Sequence, residues 1–111
     1  MTLEALDPEE REVVRRTMKA TFRYFDFDFQ SRLGISPDVM QRLLDAWPAA
    51  NDARDNSDAC LAINNSLNDL IHGVGIGEAE AMELVGVNLA EMLRVYRKWA
   101  AARGWESTGV Q

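Results

Sequence analysis

Apolar residues in the first third of the chain fall at helical intervals. Val14, Met18, Phe22, Phe25, Phe29 and Leu33 are spaced 4, 4, 3, 4 and 4, the repeat of one helix face. Asp7-Pro8-Glu9-Glu10 supplies the start: an N-cap acid, proline at N1 and a carboxylate at N3 that can reach back. The pattern therefore predicts a helix from Pro8 toward Gly34. Phe25, Phe27 and Phe29 also alternate with Asp26, Asp28 and Gln30, as in a short strand. No other segment alternates in this way, so such a strand would have no partner in the chain, and helix is the expectation.

Ser36-Pro37-Asp38 starts a second helix carrying Val39, Met40, Leu43, Leu44 and Trp47, and Pro48 stops it. Residues 49–56 are a polar connection. Ser57 or Asp58 then caps a third helix bearing Leu61, Ile63, Leu67, Leu70 and Ile71, with Gly73 as its stop and Gly75 and Gly77 in the next turn. From Glu78 to Arg103, Met82, Val85, Leu89, Met92, Tyr96 and Trp99 are spaced 3, 4, 3, 4 and 3. One straight helix of that span would be roughly 39 Å long. A globule of this size, with a radius of gyration near ~13 Å, is only roughly 34 Å across. Either the helix pairs with a second copy or it breaks at Gly86-Val87-Asn88.

An internal echo favours the break. At an offset of 52, Gly34/Gly86, Met40/Met92, Arg42/Arg94 and Trp47/Trp99 coincide. Ile35 and Val87 are both aliphatic, and Ser36 and Asn88 are both N-cap types. The shared content is a helix ending on a left-handed glycine, an aliphatic plug, a cap and a new helix. Segment 78–103 is thus split near 78–85 and 88–103. The expected fold is all-α, a compact bundle of four or five helices with two helix–Gly turn–helix units. Residues 1–111 form a single domain, with 1–6 and 106–111 as flexible ends.

Composition narrows the roles. The chain has 111 residues, one Cys and one His. One cysteine excludes an intrachain disulfide framework and every multi-thiolate zinc site, and one histidine excludes sites needing two imidazoles. No metal or cofactor is expected. No apolar run approaches the ~18 residues of a membrane span, and the opening residues read as neither a signal nor a transit peptide. The expectation is a soluble, cytoplasmic protein.

The net charge of −6 argues against a surface that attracts nucleic acid everywhere. Cations are nevertheless concentrated: Arg11, Arg15, Arg16, Lys19 and Arg23 at one end, Arg94, Arg97, Lys98 and Arg103 at the other. Between Asp26 and Glu91 there are 12 acids against Arg32, Arg42 and Arg54. If the basic stretches adjoin in the fold, they make a positive face on an acidic body. Acids early and cations late in each helix also follow from the helix dipole with no ligand at all.

The helix–Gly–cap–helix unit resembles the helix-turn-helix of bacterial DNA-binding proteins, over about 20 residues at each copy. The second copy matches with Ala81, Val85, Gly86, Val87, Met92 and Val95. The resemblance implies an all-α unit whose second helix enters the major groove, with Arg94, Arg97, Lys98 and Arg103 available for phosphates or guanine edges. Where crossing helices want a small side chain, four residues before the glycine, this chain has Met82, and the first copy has Gln30. Asp38 and Asp45 on the first copy's second helix would repel phosphates.

Other candidates carry less chemistry. Asn64, Asn65 and Asn68 are unusual in a helix interior and suit a polar ligand, a partner helix or a solvated face. Trp105, between Gly104 and a polar tail, either folds back or projects into an interface. Asp69 precedes His72 by three residues and could orient it, with Asn65 on the same face. Cys60 lies in the first turn of that helix, about 18 Å from His72 if the helix is straight, so the two cannot form a dyad. Asp52, Asp55 and Asp58 lack EF-hand spacing, and Gly73-x-Gly75-x-Gly77 precedes acids where a phosphate would sit. Phe22, Phe25, Phe29, Trp47 and Trp99 are expected in the core. The leading expectation is a protein-interaction or regulatory module, self-associating and leaning away from catalysis. Its partner would be a protein or a second copy, with a helix-turn-helix regulator using residues 78–103 as the alternative and nucleic acid the less favoured partner.

Overall fold

The computed structural model describes residues 2–49, 51–54 and 56–104. A 3-10 turn, Thr2–Ala5, leads into α1, Pro8–Tyr24. The start of α1 is a reciprocal capping box: Asp7 Oδ1 accepts from the Glu10 N–H at 2.8 Å, and Glu10 Oε1 accepts from the Asp7 N–H at 2.8 Å. The helix does not run on to Gly34. It ends at Tyr24, with Phe25 extended at φ −123°, ψ 139°, and resumes as a short α2, Phe29–Leu33. Residues 21–29 contain threonine, aromatics and aspartates, which gain little from a helix interior. Asp28 Oδ1 instead accepts from the Asp26 N–H at 3.2 Å, a local bond that competes with the helix. The break puts both Phe25 and Phe29 into the core, turns Phe27 fully outward, and leaves no strand among the described residues.

Gly34, at φ 76°, closes α2. Ser36 then caps α3, Pro37–Asp45, its Oγ accepting from the Val39 N–H at 3.2 Å. Ser57 caps α4, Asp58–Asn68, which passes into a π-helical turn, Asp69–Gly73. Next, α5, Glu78–Glu80, runs into a second π turn, Ala81–Val85, which ends on Gly86 at φ 90°. Asn88 Oδ1 accepts from the Glu91 N–H at 2.8 Å and opens α6, Leu89–Ala102. The break at Gly86-Val87-Asn88 therefore occurs where the echo predicts it. The longest molecular extent is 30 Å, which a straight helix over 78–103 would overrun.

Helix α4 sits at the centre, touching α1, α2, α3 and α6. Its Ala62, Ile63 and Leu67 meet Val14 and Met18 of α1, Leu33 of α2, Met40 of α3 and Met92, Val95 and Trp99 of α6 in one buried cluster. Burying each of the larger of these side chains contributes about 1.5–3 kcal/mol. α5 and its π turn lie antiparallel along α1: Tyr24 Oη donates to Glu80 Oε2 at 3.1 Å, and a Cβ at Gly86 would lie 2.8 Å from Arg16 Nη1.

Two expectations need correction here. Within the end expected to be flexible, Leu3 and Leu6 are buried against the core. Their carbonyls also accept from Arg11 Nε at 3.1 and 3.0 Å. Phe22 is not core. It is 37% exposed, stacked on Phe29 with ring centroids 5.2 Å apart. Residues 106–111 lie outside the described residues. No described helix is long and apolar enough to cross a membrane.

Candidate functional site

The cations of α6 face acids of the same chain. Arg94 reaches Glu10 at 2.9 Å and Glu91 at 2.6 Å, and Lys98 Nζ lies 2.8 Å from Glu10. Burial pushes the Glu10 carboxyl up. Hydrogen bonds from Lys98, the Asp7 backbone and Arg94 outweigh that and hold it at about 2. Arg103 is buried, stacked 5.1 Å over the Trp99 ring and donating to the Asp52 carbonyl. Arg97 is exposed. The N-terminus of α6 is acidic as well: Glu78 Oε1 accepts from the Leu89 N–H at 3.0 Å, and Glu91 lies in the first turn.

The helix–turn–helix framework forms despite the bulk of Met82. The π turn holds one residue more than an α turn, so the Gly86 N–H donates to the Ala81 carbonyl. That extra residue brings Ala81 to the packed position, fully buried, and leaves Met82 55% exposed.

The asparagines are tied inward. Tyr96 Oη donates to Asn64 Oδ1 at 2.7 Å, Asn64 Nδ2 donates to Asn65 Oδ1 at 3.1 Å, and Asn65 Nδ2 donates to the Leu33 carbonyl at 2.8 Å. This chain of bonds joins α6, α4 and the end of α2. Asn68 is half-buried, and Trp105 lies outside the described residues. His72 is exposed and does not have Asp69, which instead accepts from Arg32 Nε and Nη2 at 2.9 and 2.7 Å. Cys60 is buried. Asp52 is turned inward, accepting from Trp99 Nε1 at 2.9 Å.

Of the first basic stretch, Arg15, Lys19 and Arg23 lie along the outer face of α1. They repeat at i, i+4 and i+8, a ridge about 12 Å long. Open grooves flank it. One, of about 390 Å³, is lined by the ridge with Arg16, Ala20, Glu83 and Leu84. The other, of about 530 Å³, is lined by the ridge with Phe22, Gln41, Leu44 and Asp45. Glu12 takes part of the charge, accepting from Arg15 Nε at 3.0 Å and Arg16 Nε at 2.9 Å. Those bonds, Arg15's first, hold its carboxyl at about 2. Lys19 and Arg23 are exposed and make no ion pair among the described residues. The spacing of the ridge was readable in the sequence. Its grooves were not, because α3 and the second π turn supply their far walls.

Comparison with known protein families, with curated proteins and with solved structures finds no match.

Proposed function

We propose that this chain is a protein-interaction module that binds its partner across the outer face of α1. The observation that carries the reading is the Arg15–Lys19–Arg23 ridge between two open grooves with partly apolar walls. Lys19 and Arg23 are exposed there and make no ion pair among the described residues, and Phe22 is 37% exposed beside them. Cations beside open apolar surface suit recognition of an oppositely charged, partly apolar protein segment. Two-fold pairing of this face with itself would set Lys19 and Arg23 against their own copies. Charge therefore favours a partner of different sequence over self-association at this surface.

Site-specific photo-crosslinking in cells tests the reading. A photoreactive residue at Gln41, on a groove wall, is expected to give a discrete protein adduct that disappears with Lys19→Glu plus Arg23→Glu. The same residue at His72, which lines neither groove, should give none. Absence of an adduct at Gln41, or an adduct indifferent to the charge reversal, overturns it.

The helix-turn-helix reading keeps one supporting observation, the packed turn at Ala81 and Gly86. Against it stand the acids at the start of α6, where such a helix would meet base edges. Polarisation of labelled duplex DNA at about 50 and 200 mM salt, with Arg97→Glu as the control, tests this reading. Salt-sensitive binding lost in that variant would establish it.

A further inference from the structure

We infer that the segment received by the α1 face is an acidic amphipathic helix, with carboxylates in a central stripe and apolar side chains on both flanks. The inference rests on the reading of α1 as the binding face and on the chemistry that lies on the two sides of its ridge. The ridge lines both grooves; on one side it is joined by Arg16, Ala20, Leu84 and the acid Glu83, and on the other by Phe22, Gln41, Leu44 and the acid Asp45. Attraction for anions comes from the ridge and the adjoining Arg16, and each groove also holds a carboxylate that repels them.

The presence of an acid and apolar side chains on both sides of the cations discriminates among occupants. A nucleic-acid backbone or an anionic lipid surface presents negative charge across its whole width, so Glu83 and Asp45 would oppose it on both sides. A phosphodiester chain also offers nothing apolar to Phe22 or Leu44. A narrow stripe of carboxylates meets only the ridge. Its apolar flanks fill the grooves, and cations at its outer edges can reach the two wall acids.

Helical form follows from periodicity. Lys19 and Arg23 are one turn apart, about 6 Å along α1, which matches carboxylates at i and i+4 of a partner helix. An extended strand also repeats at a similar distance, but its intervening side chains point to the opposite face. It would leave both grooves unfilled. A helix carries apolar residues on both sides of an i, i+4 stripe within one face.

The test uses the intact protein and a synthetic helical peptide with Glu at i, i+4 and i+8 and Leu on both flanks of that stripe. Titration followed by fluorescence polarisation should show saturable binding that weakens as salt rises from about 50 to 200 mM. Replacing the three Glu by Gln, or introducing Lys19→Glu plus Arg23→Glu, should weaken it at least about tenfold. Arg97→Glu should change it less than about twofold. Circular dichroism of each variant confirms the helical fold, since all three positions are exposed.

No binding at about 1 mM peptide, equal binding of the Gln peptide, or indifference to the ridge reversal overturns the inference. Tighter binding of duplex DNA or anionic vesicles, lost in the same reversal, overturns it in favour of that surface. A cellular protein adduct at Gln41 together with peptide failure leaves α1 as the binding face and removes only the acidic-helix occupant. Failure of both removes the face itself.

Discussion

Gly34 and Gly86 adopt φ of 76° and 90°, and each is followed by an aliphatic, Ile35 or Val87, and a capping side chain, Ser36 or Asn88. Four residues beyond the caps, Met40 and Met92 are both fully buried, and two residues further Arg42 and Arg94 are both exposed. Up to that point the two units are one device used twice. They then diverge. α3 has nine residues and is followed by a half-buried Trp47 at its end, whereas α6 has fourteen and sinks Trp99 completely. Trp99 donates its Nε1–H to the buried Asp52. Arg94 ties α6 to the start of α1 through Glu10, while Arg42 makes no ion pair among the described residues. A turn is made by its own few residues, but the worth of the helix behind it depends on what the rest of the chain places alongside.

The tryptophans give the widest separation. Trp99→Ala removes a fully enclosed indole and the partner of Asp52, and should cost about 3–5 kcal/mol. Trp47→Ala, losing a half-exposed ring, should cost less than about half as much. Urea denaturation followed by circular dichroism compares them, and equal losses would erase the distinction between the two helices.

Next in size is the ion cluster that only the second unit possesses. Glu10→Gln should cost about 1.5–3 kcal/mol at neutral pH, the range for hydrogen bonds to charged groups. The loss is limited because Arg94 and Lys98 are half exposed and can rehydrate. In the folded protein the Glu10 carboxyl is depressed to about 2 against an ordinary 4.5. Its contribution is therefore complete above about pH 4.5 and is lost as pH falls toward 2. Thermal melts of the parent and Glu10→Gln should converge over that window, and parallel curves would assign the stability elsewhere.

The glycines should behave alike. Gly34→Ala and Gly86→Ala each force an L side chain into the left-handed region, at about 1–2 kcal/mol. At Gly86 the added carbon meets the mobile end of Arg16, which can swing away. At Gly34 it meets Asn65 Nδ2 at 3.4 Å, which holds the Leu33 carbonyl. The caps are smaller still. Ser36→Ala and Asn88→Ala should each cost about 1 kcal/mol, and a clear inequality between them would show that the two turns are not interchangeable.

Much of the fold was legible in the residues. Asp7-Pro8-Glu9-Glu10, Ser36-Pro37, Ser57, and the Gly86-Val87-Asn88 break all do what their local chemistry requires. The expected helix from Pro8 to Gly34 failed where apolar period and backbone preference disagree: the phenylalanines keep the interval, but Asp26 and Asp28 offer the backbone other bonds. Met82 misled for a related reason, since a π turn shifts the register by one residue and no spacing rule announces it. The candidate site was less legible. Arg94, Lys98 and Arg103 have the same composition whether they face solvent or pair internally. Nothing within a turn or two of Lys98 signals Glu10, which lies 88 residues away in the chain.

Helix starts, stops and glycine turns are satisfied by groups a few residues apart, so the sequence alone determined them, together with the all-α class that follows from their sum. The pairing of cations with acids, the outward placing of Phe22, the burial of Leu3 and Leu6 and the two grooves beside α1 arose only when the core brought distant helices together. Ion pairs and grooves depend on distances between elements, and those distances are set by the packing of the whole apolar cluster and by no single segment.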